Sequence, residues 1–349
     1  DWVARLETGR SNTMIIRARF RDPKNLAAIL VASSVLTGCL SEEVETAVDD
    51  NQVQFSMSGS VGDGPIVNAN MAVIASSGAI IAEFQSDSNA AYNITVSADD
   101  GSFPLKIEAD GGTDLVTNTE PDFELSSAVF DGNSPTIANV NPFSTIAVYL
   151  AEQMSGGLTE NNLSVAEQMV SDALNSGLSG LRNSGPIRTR IDETNISEIV
   201  RASETLAETI RRVSSLMQAA GRPISADATV RALAADLTDG VIDGIGGTNV
   251  DRRAAAVSTI VSAQILLESM SNQLWVNGAD ATNAMDVAIS QVSDGTPSVS
   301  LEQLPTTAEA IRKARIGLAA AYSVDESSSL AQLHGVVSGL QPGQTAATV

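Results

Sequence analysis

The feature that most constrains this 349-residue chain is a change in the spacing of its apolar residues near position 132. Upstream the spacing is two. Val53, Phe55 and Met57 fall on one side of an extended strand, as do Met71, Val73 and Ala75, then Tyr92, Ile94 and Val96, then Phe103, Leu105 and Ile107. Alternation of this kind is what a strand with one buried face requires. "SGAIIAEF" supplies another such run, and "FELSSAVF", from Phe123 to Phe130, supplies the last. Gly, Asp and Pro clusters separate the runs: "GDGP" at Gly62 to Pro65, a Ser-Gly pair, and "ADDGSF". Short strands at this rhythm predict an antiparallel β-sandwich over 53–131. Pro104 has no amide hydrogen for a ladder, so it should mark an edge or a bulge.

Downstream the spacing becomes helical. Phe143, Ile146, Ala147, Leu150 and Met154 share one helix face, and Ala166, Met169, Val170, Ala173 and Leu174 share another. Ser164 with Glu167 has the pattern of a capping box, as does Asn195 with Glu198. From Ile196 the stripe Ile199, Val200, Leu206, Ala207, Ile210, Val213 and Met217 predicts the longest helix, ended by Gly221 and Pro223. Further helices are expected at about 226–239, 251–275, 281–292, 307–322 and 327–339, with Thr306 and Glu309 as another capping box. Eight helices give an all-α domain over 142–340. The expected architecture is α+β in two domains, with a linker at 132–141 and a disordered tail at 341–349.

The strand segment "GSVGDGPIVNANMAVIASSG", followed by "DDGSFPLKI", resembles the carboxypeptidase regulatory-like domain. Pro65, Ile66, Ala69, Val73 and the run Asp100-Gly101-Ser102-Phe103 carry the match. The resemblance implies an Ig-like or transthyretin-like sandwich of an accessory, adhesive or spacer kind, and it brings no catalytic residues. The sequence departs from that family in the extra strand-like segment "AAYNITVS" before the Asp-Gly turn.

At the N-terminus, Arg17, Arg19, Arg21 and Lys24 precede a short apolar run, Leu26 to Val35, and then the only cysteine, Cys39. A basic region, an apolar region and a small-residue site form a secretory signal, and the apolar part is too short to span a bilayer. The tetrapeptide "LTGC" resembles the lipobox of bacterial lipoproteins. That resemblance implies cleavage between Gly38 and Cys39 and lipidation of Cys39. Met14 is then the expected start of a signal segment within residues 1–38, and 39–52 an acidic tether. Leu40, rather than Asp, after the cysteine implies the outer membrane, with the chain facing the periplasm or the exterior. The expected partners are the membrane, through the lipid, and a protein or glycan at the cell surface. With its single thiol used as an anchor, the mature chain has no disulfide and must rely on its core.

Charge narrows the partners. The net charge is −22, and from Ser41 to Val140 seventeen Asp or Glu face one basic residue, Lys106. Such a field repels nucleic acid and anionic headgroups. It leaves hydration or divalent cations as its use.

Chemical motifs are few. The single histidine, His334, cannot build a zinc site without thiolates, and no HExxH, GxSxG, Walker A or GxGxxG motif is present. Carboxylates and glycines alternate in "DLTDGVIDGIGGTNVD", Asp236 to Asp251, where Asp239 and Asp243 are the candidate calcium ligands. Their spacing of three and four is helical rather than that of an EF-hand, so the bland reading is a frayed helix end followed by an N-cap before Arg252. The pairs Asp99 with Asp100 and Asp110 with Asp114 could serve a glycosidase. They lie in turns of an acid-rich segment, and Trp275 and Tyr322 sit in helical patterns. The expectation is a lipid-anchored envelope protein with a binding, adhesive or structural role and no cofactor. The alternatives are an exported hydrolase with its site in the helical domain and a calcium-stabilised surface adhesin.

Overall fold

Strand β1 (Gln52–Ser60) pairs antiparallel with β5 (Ala91–Asp99) along its whole length, Gln52 opposite Asp99 and Ser60 opposite Ala91. Its other edge takes a short parallel strand, β9 (Thr136–Ile137). A second sheet has the order β4–β3–β6–β8, from β3 (Asn70–Ile74), β4 (Ile80–Gln85), β6 (Leu105–Asp110) and β8 (Leu125–Val129). A two-residue pair, β2 (Ile66–Val67) with β7 (Thr113–Asp114), stands beside them. This computed structural model describes residues 52–132, 136–174, 186–244, 246–247, 250–270 and 273–293, with single positions at 297, 312, 315, 316 and 319. Gly38, Cys39, the tether to residue 51, the Thr306–Glu309 box, Tyr322, the helix at 327–339, His334 and the tail lie outside the described residues, and the helix at 307–322 is described only at isolated positions.

Most of the alternating residues do what their spacing predicts, although Val53 is exposed and β4 buries none of its residues. Phe55, Met57, Met71, Val73, Tyr92, Val96, Leu105 and Ile107 are all buried in one apolar cluster to which both sheets contribute. Rings interlock across it, with centroids 5.7 Å apart for Phe55 and Phe103 and 5.5 Å apart for Phe84 and Tyr92. Burying side chains of this size stabilises by about 1.5–3 kcal/mol each. Pro104 sits one residue before β6, an interior strand of its sheet, so it removes no ladder bond and marks a strand start rather than an edge.

The helical half begins without a break in that core. All five residues of β8 are buried, because α1 (Pro142–Gln153) packs on it. Ser144 Oγ donates to Ser126 O at 2.6 Å, and Ser126 N donates to Thr145 Oγ1 at 2.9 Å. Asn141 caps α1 reciprocally with Ser144, and Pro142 takes the first helical position, where no amide hydrogen is needed. The helices α2 (Glu160–Leu174), α3 (Ile196–Ala219), α4 (Ala226–Asp236), α5 (Arg252–Met270) and α6 (Thr282–Val292) follow. The main apolar cluster runs from Phe55 through α1 and α3 to Ala255, and the described residues belong to one compact unit. The stretch read as a linker carries β9 and four buried residues, Ala138, Asn139, Val140 and Asn141.

Three local expectations give way. The helix α2 opens at Glu160, where Thr159 Oγ1 accepts from Asn162 N; Ser164 lies inside it, and Glu167 pairs with Arg188 at 3.0 Å. Asn195 does stand at the N-cap of α3, but its Oδ1 accepts from Asp192 N, outside the helix. The helix predicted to residue 275 stops at Met270, and Trp275 belongs to a hairpin of β10 (Trp275–Val276) and β11 (Ala279–Asp280). Asn277 and Gly278 turn it with φ of 50° and 80°, the positive values that a tight two-residue hairpin requires and an Asn-Gly pair supplies.

Candidate functional site

Over Arg201 to Ile210 every residue of α3 is buried, which leaves its charged groups no water to face. Glu204 and Glu208 must therefore find partners inside the protein. Arg211, one turn on, holds three carboxylates closely, Nη1 to Asp63 Oδ2 at 2.9 Å, Nη2 to Glu204 Oε2 at 3.0 Å and Nε to Glu208 Oε2 at 3.0 Å, with the more exposed Asp122 Oδ2 at 3.8 Å from Nη1. Arg212 takes the other oxygen of Glu208 at 2.7 Å, grips Glu268 of α5 with both terminal nitrogens, and donates to Trp275 O at 2.6 Å. A chain of charge thus runs from the turn after β1, through α3, to the β10–β11 hairpin.

The sheet supplies two of the acids. Asp63 lies in the Gly-Asp-Gly-Pro turn, fully buried, and its Oδ1 accepts from Gly64 N at 3.1 Å. Asp114 ends β7, and its carboxylate folds the next turn by accepting from Val116 N, Thr117 N and Thr117 Oγ1. One oxygen each from Asp63, Asp114 and Glu204 lies within 4.8 Å of the others, and all three residues are buried. Gly64 makes this possible. A Cβ there would stand 2.6 Å from both Asp114 Oδ1 and Glu204 Oε1, closer than real side chains approach.

Charge is unbalanced at this point. Asp63, Asp114, Glu204, Glu208 and Glu268 set five carboxylates against two guanidiniums. Burial, then the neighbouring Asp63, pushes the Asp114 carboxyl up to about 6. Burial and the charge of Asp114 push Glu204 well above the usual carboxylate range, against the pull of Arg211. Arg211 is driven upward by Glu204, Asp63 and Glu208, which outweigh its own desolvation. Glu204 Oε1 finds no hydrogen-bond partner among the described residues. Three hard oxygen donors of this kind could hold a metal ion.

The residues singled out from the sequence are dispersed. Asp239 Oδ1 caps its own turn by accepting from Val241 N, at the left-handed Gly240 that ends the helical turn. Asp251 caps α5 through Arg253 N and Ala254 N. The acid that organises this loop is Asp236. Both of its oxygens accept from Gly244 N, and burial raises it to about 6. Asp114 meets Asp63 and Glu204 rather than Asp110, and Trp275 is half-exposed on its hairpin.

Two concavities accompany the buried cluster. One, of about 340 Å³, is lined by Leu174, Val241, Ile242, Thr259, Asp172 and Arg312. The other, of about 370 Å³, crosses the second sheet between Asn70, Glu83, Phe84, Glu108, Asp110 and Glu124. There burial, Glu108, Asp227 and Asp110 push Glu124 up to about 7. No protein-family model, no curated protein and no solved structure matches the chain.

Proposed function

We propose that this chain is a lipid-anchored protein of the bacterial envelope that binds or braces rather than turns over a substrate. The observation that carries the reading is the N-terminal order of Arg17, Arg19, Arg21 and Lys24, a short apolar run, and Leu36-Thr37-Gly38-Cys39. Lipid on Cys39 would fix the chain to the membrane, and Leu40 favours the outer one. The carboxypeptidase regulatory-like reading of the sheet half is supported by the Gly-Asp-Gly-Pro turn into short antiparallel strands and by the Asp100–Ser102 turn before β6.

What supports a bracing role is how the charged residues are used. Asp63, Glu204, Glu208 and Glu268 are held by Arg211 and Arg212 in ion pairs that join a sheet turn, two helices and a hairpin. The open acidic concavity on the second sheet would suit a basic or cation-bridged ligand on a protein or glycan partner. The test is fractionation of cells making the full precursor or Cys39→Ser. The wild type should be processed and membrane-bound, and the variant should be unprocessed or released. A Cys39→Ser protein that is still cleaved and still in the membrane fraction would refute the anchor.

A further inference from the structure

Three acids that share one buried gap with a single neighbouring arginine need a further positive charge or a proton. The geometry favours an ion at this point for three reasons. Arg211 engages Asp63 Oδ2 and Glu204 Oε2, and so leaves Asp63 Oδ1 and Glu204 Oε1 to something else. Asp63 Oδ1 and Asp114 Oδ1 each accept one amide hydrogen, from Gly64 and Val116, and keep a lone pair. Glu204 Oε1, in a fully buried side chain, has no partner among the described residues, and it faces the same gap as Asp114 Oδ1 where Gly64 lacks a Cβ. A buried carboxylate oxygen without a donor is costly, and such an oxygen asks for a ligand.

We propose that Asp63, Asp114 and Glu204 form a structural site for one divalent cation, with calcium preferred over magnesium. Calcium takes oxygens at about 2.4 Å, so two ligands on opposite sides of the ion stand about 4.8 Å apart. One oxygen from each of the three residues lies within 4.8 Å of the others without any movement, a separation that one ion can bridge. Magnesium holds its ligands at about 2.1 Å, keeps several waters and uses one or two carboxylates, which suits a dry three-acid site less well. The ligands come from the turn after β1, from β7 and from α3, so the ion would join the sheet to the central helix. This does not depend on the lipid anchor, and it stands whether or not Cys39 is modified.

The test uses the chain from Cys39 onward with Cys39→Ser, purified in chelator. Its melting temperature is read in EDTA, in about 5 mM calcium and in about 5 mM magnesium, a range that covers the roughly 0.1–1 mM affinities of extracellular calcium modules. The expected result is a rise of several degrees in calcium, a smaller rise in magnesium, and one calcium per chain by calorimetric titration. Glu204→Gln keeps the shape and removes the charge. In EDTA it should melt at or above the parent; in calcium it should melt below it, so the order reverses. Asp114→Asn should weaken calcium at least tenfold and covers the case in which Glu204→Gln does not fold. The combined Asp239→Asn and Asp243→Asn change should leave the response intact. No calcium-dependent rise in the parent, an equal rise in Glu204→Gln and Asp114→Asn, a response lost with Asp239 and Asp243, or a larger rise in magnesium would each overturn the assignment.

Discussion

Arg211→Met isolates the energetics of the buried charge chain. The substitution keeps an apolar stem and removes the guanidinium that now holds Asp63, Glu204 and Glu208 at 2.9–3.0 Å. Two of these acids keep other partners: Asp63 retains Gly64 N, and Glu208 retains Arg212 and Asn277 N. Glu204 retains none among the described residues. An orphaned acid can cost no more than the work of protonating it. At pH 7 that is about 1.4 kcal/mol for each unit above the ordinary value near 4.3, or about 3.7 kcal/mol. Breaking a buried ion pair commonly costs about 3–5 kcal/mol, so the two routes agree. The folded-state value of Glu204 lies above its unfolded one, so the penalty is present above the ordinary carboxylate range and fades as pH falls toward it. Glu204 is already raised with Arg211 in place, so the parent carries part of this penalty, and denaturant unfolding in EDTA should show a further loss from Glu204 of at most about 3–4 kcal/mol at pH 7 and at most about 1 kcal/mol at pH 5. No loss at pH 7, or a loss equal at both pH values, would show that the Arg211 charge does not favour the ionised form of the acids around it.

The remaining perturbations probe neighbouring features. Gly64→Ala places a Cβ 2.6 Å from Asp114 Oδ1 and Glu204 Oε1 and should destabilise by about 1–3 kcal/mol in the same assay, whereas Gly78→Ala, in open space, should lose only the strain of its positive φ. Tyr92→Phe removes the buried bond from Tyr92 Oη to Ala138 O, 2.6 Å long, which ties β5 to the β9 segment; about 1–1.5 kcal/mol should be lost. Glu124, raised to about 7 by burial and by Glu108, Asp227 and Asp110, binds its proton more readily when folded, while Lys106 pairs with Glu108 and Glu152 beside it. Its contribution should therefore improve as pH falls from 7 toward the ordinary range, and Glu124→Gln should flatten that gain in melts taken between these values.

Alternation made the strands legible. Met71, Val73, Leu105 and Ile107 point inward because side chains on a strand repeat every two residues, and burial follows that repeat. The loop from Asp236 to Asp251 was legible for a similar reason: Gly240 ends a helical turn and Asp251 opens the next helix, each a local event. The charge cluster was not. An amphipathic reading of α3 places Glu204 and Glu208 opposite the apolar stripe, on the side that normally meets water, and nothing in the helix itself says that a sheet turn will cover it. A partial signal existed, since Glu208 stands three and four residues before Arg211 and Arg212, the spacing at which opposite charges meet on a helix. Asp63 and Asp114 gave no such signal. Each reads as turn chemistry, and only the fold brings them to the same side of α3. The hairpin at Trp275 was missed by carrying the helical stripe to residue 275, although Asn277-Gly278 just beyond it is a local turn signal that outranks periodicity.

Asn139 decides whether the sheet and the helices behave as one cooperative body. Its Oδ1 accepts from Ser60 N and Ser60 Oγ at the end of β1, and its Nδ2 donates to Pro186 O and Thr189 O in the segment leading to α3. The residue is buried, so none of these bonds has water as a ready substitute. Asn139→Asp keeps the size, turns both donors into acceptors facing two carbonyls, and adds a charge. Pro186 O keeps a donor in Asn141 Nδ2, but Thr189 O loses the Asn139 donor, a cost of about 1–3 kcal/mol before the charge is counted. If the two halves were independent domains joined by a linker, this loss would fall on the strand signal alone and unfolding would split into two steps. With β8 buried under α1 and one apolar cluster running from Phe55 to Ala255, both halves should instead lose stability together. Far-ultraviolet dichroism and Tyr92-region amide exchange should then show one coincident transition, shifted to lower denaturant. Separate midpoints for the sheet and the helices would overturn the shared-core account.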